Sequence, residues 1–334
     1  MEEKRGRRIF ITGGQGYLGQ ELIKRLIKSE DVELIVETDL KNGMGWQKEW
    51  NGKKIVHLGL SVLDWGLQKI MEDYQIDTVV HLAWAFNPRR DRRQQWNLDI
   101  QGSYTVFMCA LYAGVTSYFY AGSSTAYGQF PREERPLKEE EWTNWVGNIF
   151  NKDEYQYSID KAIEDKNCQE RLAEFGGKMK IGWMRGAIVL GPDIPLDNVV
   201  AHVATAFGPF MFRVKGFNPA MQFVSQLDTA NILYRATMER WTGPVNVSGD
   251  GVITFKRLIK KLGKIEIALP HWLLKAACKV LWKLHIRDIP PELLLLIMYP
   301  WLGDTARLKN VFKHQPVYST ADAVRELAKA LKNK

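Results

Sequence analysis

RIFITGGQGYLGQELIKRLIKSEDVELIVETD, Arg8 to Asp39, decides how the rest of the chain is read. An apolar run at Ile9–Ile11 enters a turn carrying Gly13, Gly14, Gly16 and Gly19. From Tyr17 onward apolar residues return at helical spacing, at Leu18, Leu22, Ile23, Leu26 and Ile27. A second apolar run, Leu34–Val36, ends at Asp39. Strand, tight turn, helix and a strand with an acidic tip together form the layout of a dinucleotide site. Gly13 and Gly16 have no Cβ, so the backbone can turn sharply and approach a pyrophosphate. N–H groups at the helix start then face the phosphates, and the helix dipole favours their charge. Gly19 permits close packing of helix on strand. Asp39, about 20 residues past the last glycine, is placed to accept from ribose hydroxyls. Its carboxylate repels a 2′-phosphate, which favours NAD. Lys41 keeps NADP as the second choice.

The chain has 334 residues, 46% of them hydrophobic and 25% charged, enough for a large core. Its net charge is +8, with the basic residues scattered. That balance suits acidic small-molecule ligands, and no DNA-reading helix or metal-ligand spacing accompanies it, so neither nucleic acid nor a metal is expected. Cys109, Cys168 and Cys278 are far apart and odd in number, which argues against disulfides. Cys109 lies in an apolar helical run and reads as a buried filler. MEEKRGRR leads directly into the first strand, leaving no room for a signal peptide, and no apolar run is long enough for an integral membrane segment. A cytoplasmic location is expected.

Further strands read at Lys54–Leu60, Thr78–Ala83, Ser117–Ser124 and Lys180–Leu190, and helices at Trp65–Tyr74, Asn97–Tyr112 and Lys152–Phe175. This alternation implies right-handed crossovers and an α/β fold, a doubly wound parallel sheet. The regularity fades after Pro192. Residues 1–191, with 221–242 returning, form the expected dinucleotide domain. Residues 192–220 and 243–334 form a smaller, mainly helical C-terminal lobe, with the substrate between the two.

Tyr157 and Lys161 in YSIDK share one helix face. An ammonium beside a phenol favours phenolate, and such a tyrosine can exchange a proton with an alcohol near neutral pH. YAGSSTAYG ends an apolar strand in hydroxyl residues, where ligands of open parallel sheets sit. Ser123 there can hydrogen-bond a substrate oxygen, and Ser124 and Thr125 are further candidates for substrate contact. HLAW at His81–Trp84 closes another strand on the same side.

With these motifs in place, the sequence resembles the extended short-chain dehydrogenases/reductases, the NAD-dependent epimerase/dehydratase group. TGGQGYLG is similar to the group's TGxxGxxG, HLAW to its HLAA, NLDIQG to its N-x-x-G-T segment, AGSSTAYG to its SSxxxYG and YSIDK to its catalytic Tyr-Lys pair. Arg185 with Gly191–Pro192 resembles its LRxxxxxGP, and QFVSQLD its FVHVDD. The resemblance implies a Rossmann-type domain with Ser123, Tyr157 and Lys161 as the catalytic set. It places cofactor contacts at Gly13, Gly16, Tyr17, Leu18 and Gly19, at Asp39 and Leu60, at Leu82, Ala83 and Trp84, and at Asn97, Tyr157 and Lys161. Hydride would pass between a secondary alcohol carbon and nicotinamide, and a homodimer is expected.

Departures narrow the chemistry. Ser124 and Thr125 stand where the group's 4,6-dehydratases have an Asp-Glu pair, which disfavours elimination. Ile188 stands where many sugar-nucleotide epimerases have Asn, and Met221–Gln222 where they have Arg. Three functions are carried forward. The first is an epimerase or oxidoreductase on a sugar-like substrate, nucleotide-linked or not. The second is a dehydrogenase/reductase of a hydrophobic, hydroxysteroid- or flavonol-like alcohol or ketone. The third is a non-catalytic NAD-binding regulator.

Two stretches bear on substrate. Arg89, with Arg90, Arg92 and Arg93, reads as a solvated loop, with an acidic substrate as the alternative. In residues 268–286 apolar Leu269, Trp272, Leu273, Ala276, Val280 and Leu284 lie opposite Lys275, Lys279 and Lys283. That face is expected to pack on its own domain; a membrane surface or a greasy substrate are the alternatives.

Overall fold

A computed structural model describes residues 6–40, 55–144, 155–194 and 203–332. Lys41, Lys54 and Lys152 lie outside them. The chain runs β1 (Arg7–Thr12), helix Tyr17–Leu26, β2 (Val32–Thr38), β3 (Ile55–Leu58), helix Leu67–Asp73 and β4 (Thr78–His81). Helical residues from Arg92 to Tyr112 lead to β5 (Ser117–Ser123), helix Gln156–Phe175, β6 (Lys180–Gly186) and β7 (Ile188–Leu190). Then come β8 (Phe210–Val214), β9 (Ala220–Met221), β10 (Phe223–Ser225), helix Gln226–Glu239, β11 (Gly243–Val247) and β12 (Ile253–Thr254). Helix Phe255–Lys261, β13 (Ile265–Leu269) and the helices His271–Lys283, Ala306–Asn310 and Thr320–Lys332 complete the order.

Seven parallel strands form the central sheet, in the order β11-β6-β5-β4-β1-β2-β3. The order reverses between β1 and β4, so a crevice opens beyond their carboxyl ends. Strand periodicity distributes the core. Ile9 and Ile11 face the helices Tyr17–Leu26 and Gln226–Glu239 with Val80, Phe119 and Met184. Phe10 faces the other way, with Val79, Tyr118, Tyr120 and Trp183. Both faces of each central strand are covered, as a parallel sheet requires.

Four expectations change. The returning segment does not stop at residue 242: Gly243–Val247 is the seventh strand, paired with β6. Leu308 and Phe312, from the C-terminal lobe, also join the first core. Lys180–Leu190 is not one strand, since β7 leaves the sheet to pair with β10. The C-terminal lobe is less helical than read, because β8 and β13 pair in parallel. On helix His271–Lys283 the expected inward face is reversed. Leu274 and Cys278 are buried, whereas Trp272, Leu273, Val280 and Leu284 are exposed. All three cysteines are buried and free.

Arg185 locks the sheet to the segments around the crevice. It is 1% exposed and pairs with Asp165 through Nε and Nη2 at 2.7 and 2.8 Å. Its Nη1 donates to Tyr127 Oη at 3.0 Å and to the Glu139 carbonyl at 2.8 Å. Removing one partner of such a buried pair strands the other charge away from water. Asp165→Ala should therefore cost about 3–5 kcal/mol of stability, read as a lower urea midpoint with an unchanged slope.

Candidate active site

The glycine turn is shaped by what it must avoid. Gly13 has φ +71°, and a Cβ there would meet the Ala83 backbone nitrogen at 2.8 Å. A Cβ on Gly19 would run into the Gly13 carbonyl oxygen, and one on Gly14 into the buried Glu37 carboxylate. The close pass of Gly13 and Ala83 is held by a directed chain of hydrogen bonds. Ala83 N donates to Thr12 Oγ1 at 3.2 Å, and Ser103 Oγ donates to the Asp99 carbonyl at 2.6 Å. His81 lies between, with Nδ1 2.6 Å from Thr12 Oγ1 and Nε2 2.8 Å from Ser103 Oγ. Because the one hydroxyl hydrogen of Ser103 is engaged by the Asp99 backbone carbonyl, Nε2 of His81 is the donor and Nδ1 the acceptor. Burial first, then Lys161 and Arg171, lowers the His81 pKa to about 3, so the ring is neutral.

A cavity of about 330 Å³ runs from this turn to Tyr157. Gly13, Gly16, Tyr17, Leu18, Gly19, Leu82, Trp84, Ser123, Thr125, Tyr157 and Lys161 line it. These are the larger part of the residues expected from the sequence, brought to one place. Ser123 ends β5, and its Oγ accepts from Thr125 N at 3.2 Å and Thr125 Oγ1 at 2.9 Å. Phe86 stands edge-on to the Tyr157 ring at 5.4 Å. Lys161 Nζ donates to Tyr120 Oη at 2.8 Å and to the Ala121 carbonyl at 2.9 Å, and lies 3.7 Å from the Trp84 ring centroid.

The remaining expected residues lie elsewhere. Ser124 is turned away, donating to the Gly186 carbonyl at 3.1 Å. Arg89 is exposed, its guanidinium donating to Gln94 Oε1 at 3.2 Å. Arg90 and Arg92 pair with Asp288 and Glu292, so this arginine stretch links the lobes and is not simply a solvated loop. Asp39 and Leu60 stand at adjoining strand ends: Asp39 N donates to the Leu58 carbonyl at 3.3 Å, and Thr38 Oγ1 donates to the Leu60 carbonyl at 2.7 Å. Asn97 is exposed at the start of a π-helical turn, Asn97–Gln101. That turn faces Asp99 inward instead, where Oδ1 accepts from Ala85 N at 2.7 Å. Such single-turn π segments favour functional sites. Asp99 shares a helical face with buried Ser103, Val106 and Ala110, a periodicity the sequence carried. Tyr120 was likewise missed, although it belongs to the apolar run that ends at Ser123, and so was Tyr155, two residues before Tyr157 in a polar stretch.

One electrostatic expectation is corrected. The Tyr157 phenol is pushed above its ordinary value, not below it, because burial outweighs its contact with Ser123. Lys161 does not reverse this. Burial lowers its own pKa to about 7, against the raising pull of Asp99 and Glu164. Burial raises Asp99 to about 7 as well. Glu37, beneath the turn, hydrogen-bonds Gln15 and His57 and is raised by burial.

The sequence profile described as NAD dependent epimerase/dehydratase family matches residues 9–236. The chain belongs to that family. An uncharacterized protein of Mycobacterium bovis is 21% identical over 94% of this chain and 81% of its own length. A UDP-N-acetyl-alpha-D-glucosaminuronate decarboxylase of Bacillus cytotoxicus is 26% identical over 48% of this chain and 49% of its own. Among solved structures, dTDP-glucose 4,6-dehydratase of Bacillus anthracis, in complex with NAD, superposes with a TM-score of 0.72 at 14% identity, covering 98% of this chain and 97% of that one. UDP-glucose 4-epimerase of Thermotoga maritima, with UDP-glucose, gives 0.71 at 18% identity, covering 98% and 99%. Family membership makes the chain an enzyme-type Rossmann protein. Among the described residues no group of His, Cys, Asp and Glu could hold a metal, and no helix is long and apolar enough to cross a membrane.

The lysine has a pH signature. An unfolded chain keeps the Lys161 proton to its ordinary 10.5, whereas the folded chain releases it near 7. The unfolded state thus binds more protons between those values, and stability rises with pH across that window. Lys161→Met should flatten the rise, seen as urea midpoints that no longer climb from neutral to alkaline pH.

Proposed function

We propose that this protein is an NAD-dependent oxidoreductase of the epimerase type, moving hydride at a secondary alcohol or ketone carbon of a sugar-like substrate. The observation that carries the reading is the convergence of Ser123, Tyr157 and Lys161 on one cavity with the glycine turn. The turn fits a dinucleotide, since Gly13 and Gly19 stand where any Cβ would close the cradle. Gly16, Tyr17 and Leu18 open the helix whose N–H groups would meet the phosphates. Asp39, at the tip after β2, would meet the ribose. Bound there, NAD would supply the hydride acceptor.

The chain's own residues handle oxygen and proton. Ser123 orients the substrate oxygen. Tyr157 gives its proton to a ketone oxygen during reduction, the direction its raised pKa suits. During oxidation the side chain must instead start as phenolate to take the alcohol's proton, and positive charge nearby, from protonated Lys161 or from oxidised nicotinamide, favours that form. Trp84 and Tyr120 hold the Lys161 head in place. Sugar-like substrates are supported by the relatives, three of which are named for nucleotide-sugar chemistry. The second reading, a hydrophobic alcohol or ketone, is favoured by the apolar part of the cavity wall, to which Phe86, Ile188, Leu296 and Trp301 contribute.

Tyr157→Phe should lower turnover by about 10²–10⁴-fold, the range of general acid–base catalysis, while NAD binding by calorimetry is preserved. Unchanged turnover would remove the acid–base role. Mass spectrometry of the protein denatured after gentle purification separates the two substrate readings. An epimerase retains NAD and shows no net change in reduced-nicotinamide absorbance, whereas a dehydrogenase consumes added cofactor stoichiometrically.

A further inference from the structure

A second cavity, of about 220 Å³, lies in the C-terminal lobe. Its wall is apolar almost throughout, with Met211, Phe212, Phe255, Leu258 and Leu294 among the lining residues. Ile188 and Leu296 stand in this wall and in that of the catalytic cavity, so the two spaces adjoin. Apolar voids of about 150 Å³ with similar linings stay dry and accept benzene. A chain of methylenes in a space of this size would give its lining close dispersion contacts.

Helix His271–Lys283 covers the cavity. Leu274, Ala277, Cys278 and Leu281 line it from one face of the helix. The other faces carry Trp272, Val280 and Leu284, which are 71%, 54% and 61% exposed, interleaved with Lys275, Lys279 and Lys283. No Asp or Glu occurs between Ala268 and Arg287. Exposed apolar side chains interleaved with lysines match an anionic bilayer, which offers hydrocarbon and negative headgroups together. The helix is also tied to the catalytic side. Arg90 stacks 4.3 Å over Trp282 and pairs with Asp288, and it follows Phe86 and Asn87 of the catalytic wall.

We propose that the substrate is an amphiphile drawn from an anionic membrane surface. Its alcohol or ketone head occupies the catalytic cavity and its long apolar chain the second cavity, while helix His271–Lys283 rests on the lipid. The identity of the head rests on the hydride-transfer reading above; the chain subsite and the membrane contact do not.

The test uses the full chain with two probes. Dansyl-undecanoic acid, a fluorescent fatty acid, should bind saturably with blue-shifted emission. Ala277→Trp and Val203→Trp, which fill the cavity from different elements, should each weaken it by about tenfold or more with NAD binding retained. The protein should co-sediment with vesicles of phosphatidylcholine and phosphatidylglycerol in equal parts but not with phosphatidylcholine alone. Combining Lys275→Glu, Lys279→Glu and Lys283→Glu should return it to the supernatant. The proposal is overturned if the fatty acid does not bind, if both fillers leave its affinity unchanged, or if sedimentation is absent or indifferent to vesicle charge. Tyr157→Phe should alter neither measurement, so a failure of the hydride reading is distinguishable from a failure of this one.

Discussion

The site depends on one close approach, that of the Gly13 backbone to Ala83 where β1 and β4 end side by side. No side chain fits at Gly13, and the carbonyl of Gly13 leaves none at Gly19. The approach is fixed from below by the buried chain Ala83–Thr12–His81–Ser103–Asp99. A neutral imidazole serves here because it donates from one nitrogen and accepts on the other, giving the chain a single direction. A protonated ring would have two donors and break it, and burial prevents that. The arrangement sets the direction of Leu82–Trp84, and so the position of the Trp84 ring against which Lys161 lies.

Lys161 shows how strongly burial governs this crevice. The sequence suggests an ammonium acting on a phenol. In the folded chain both groups are desolvated, and each is driven toward its neutral form. Asp99, Glu164 and Asp160 resist this for the lysine. The proton inventory of the crevice is therefore shared among several groups, and it responds to any charge placed beside them. A cationic ring next to Tyr157 would be such a charge, which makes the resting electrostatics of the site that of a pocket waiting for a ligand to complete it.

Much of this was legible in the sequence for identifiable reasons. The glycine turn, the alternating strands and the Tyr157–Lys161 spacing are local patterns, each carried by a few neighbouring residues. What escaped was set by distant partners. β8 and β13 are five residues each and pair only with one another, so neither announces a sheet. Asn97 and Asp99 are both polar residues in one helical run, and only the π turn decides which faces inward. Helix His271–Lys283 has apolar residues on both sides. Leu274, Cys278 and Leu281 compete with Trp272, Leu273 and Val280 for the interior, and periodicity alone cannot rank them. The lobe selects the set that reaches its own cavity.

Two of the departures from the family pattern fall at the second cavity. Ile188 occupies a place where a polar residue is common in sugar-nucleotide enzymes, and it stands in the partition between the catalytic cavity and the apolar one. Met221, another departure, lines the apolar cavity. An unpaired amide or guanidinium at either position would be buried against hydrocarbon and would cost more than it could return without a polar ligand. Apolar residues at these two positions therefore suit the apolar chamber they line. Ser123 and Tyr157 stand outside that partition, at the end of β5 and on the helix Gln156–Phe175.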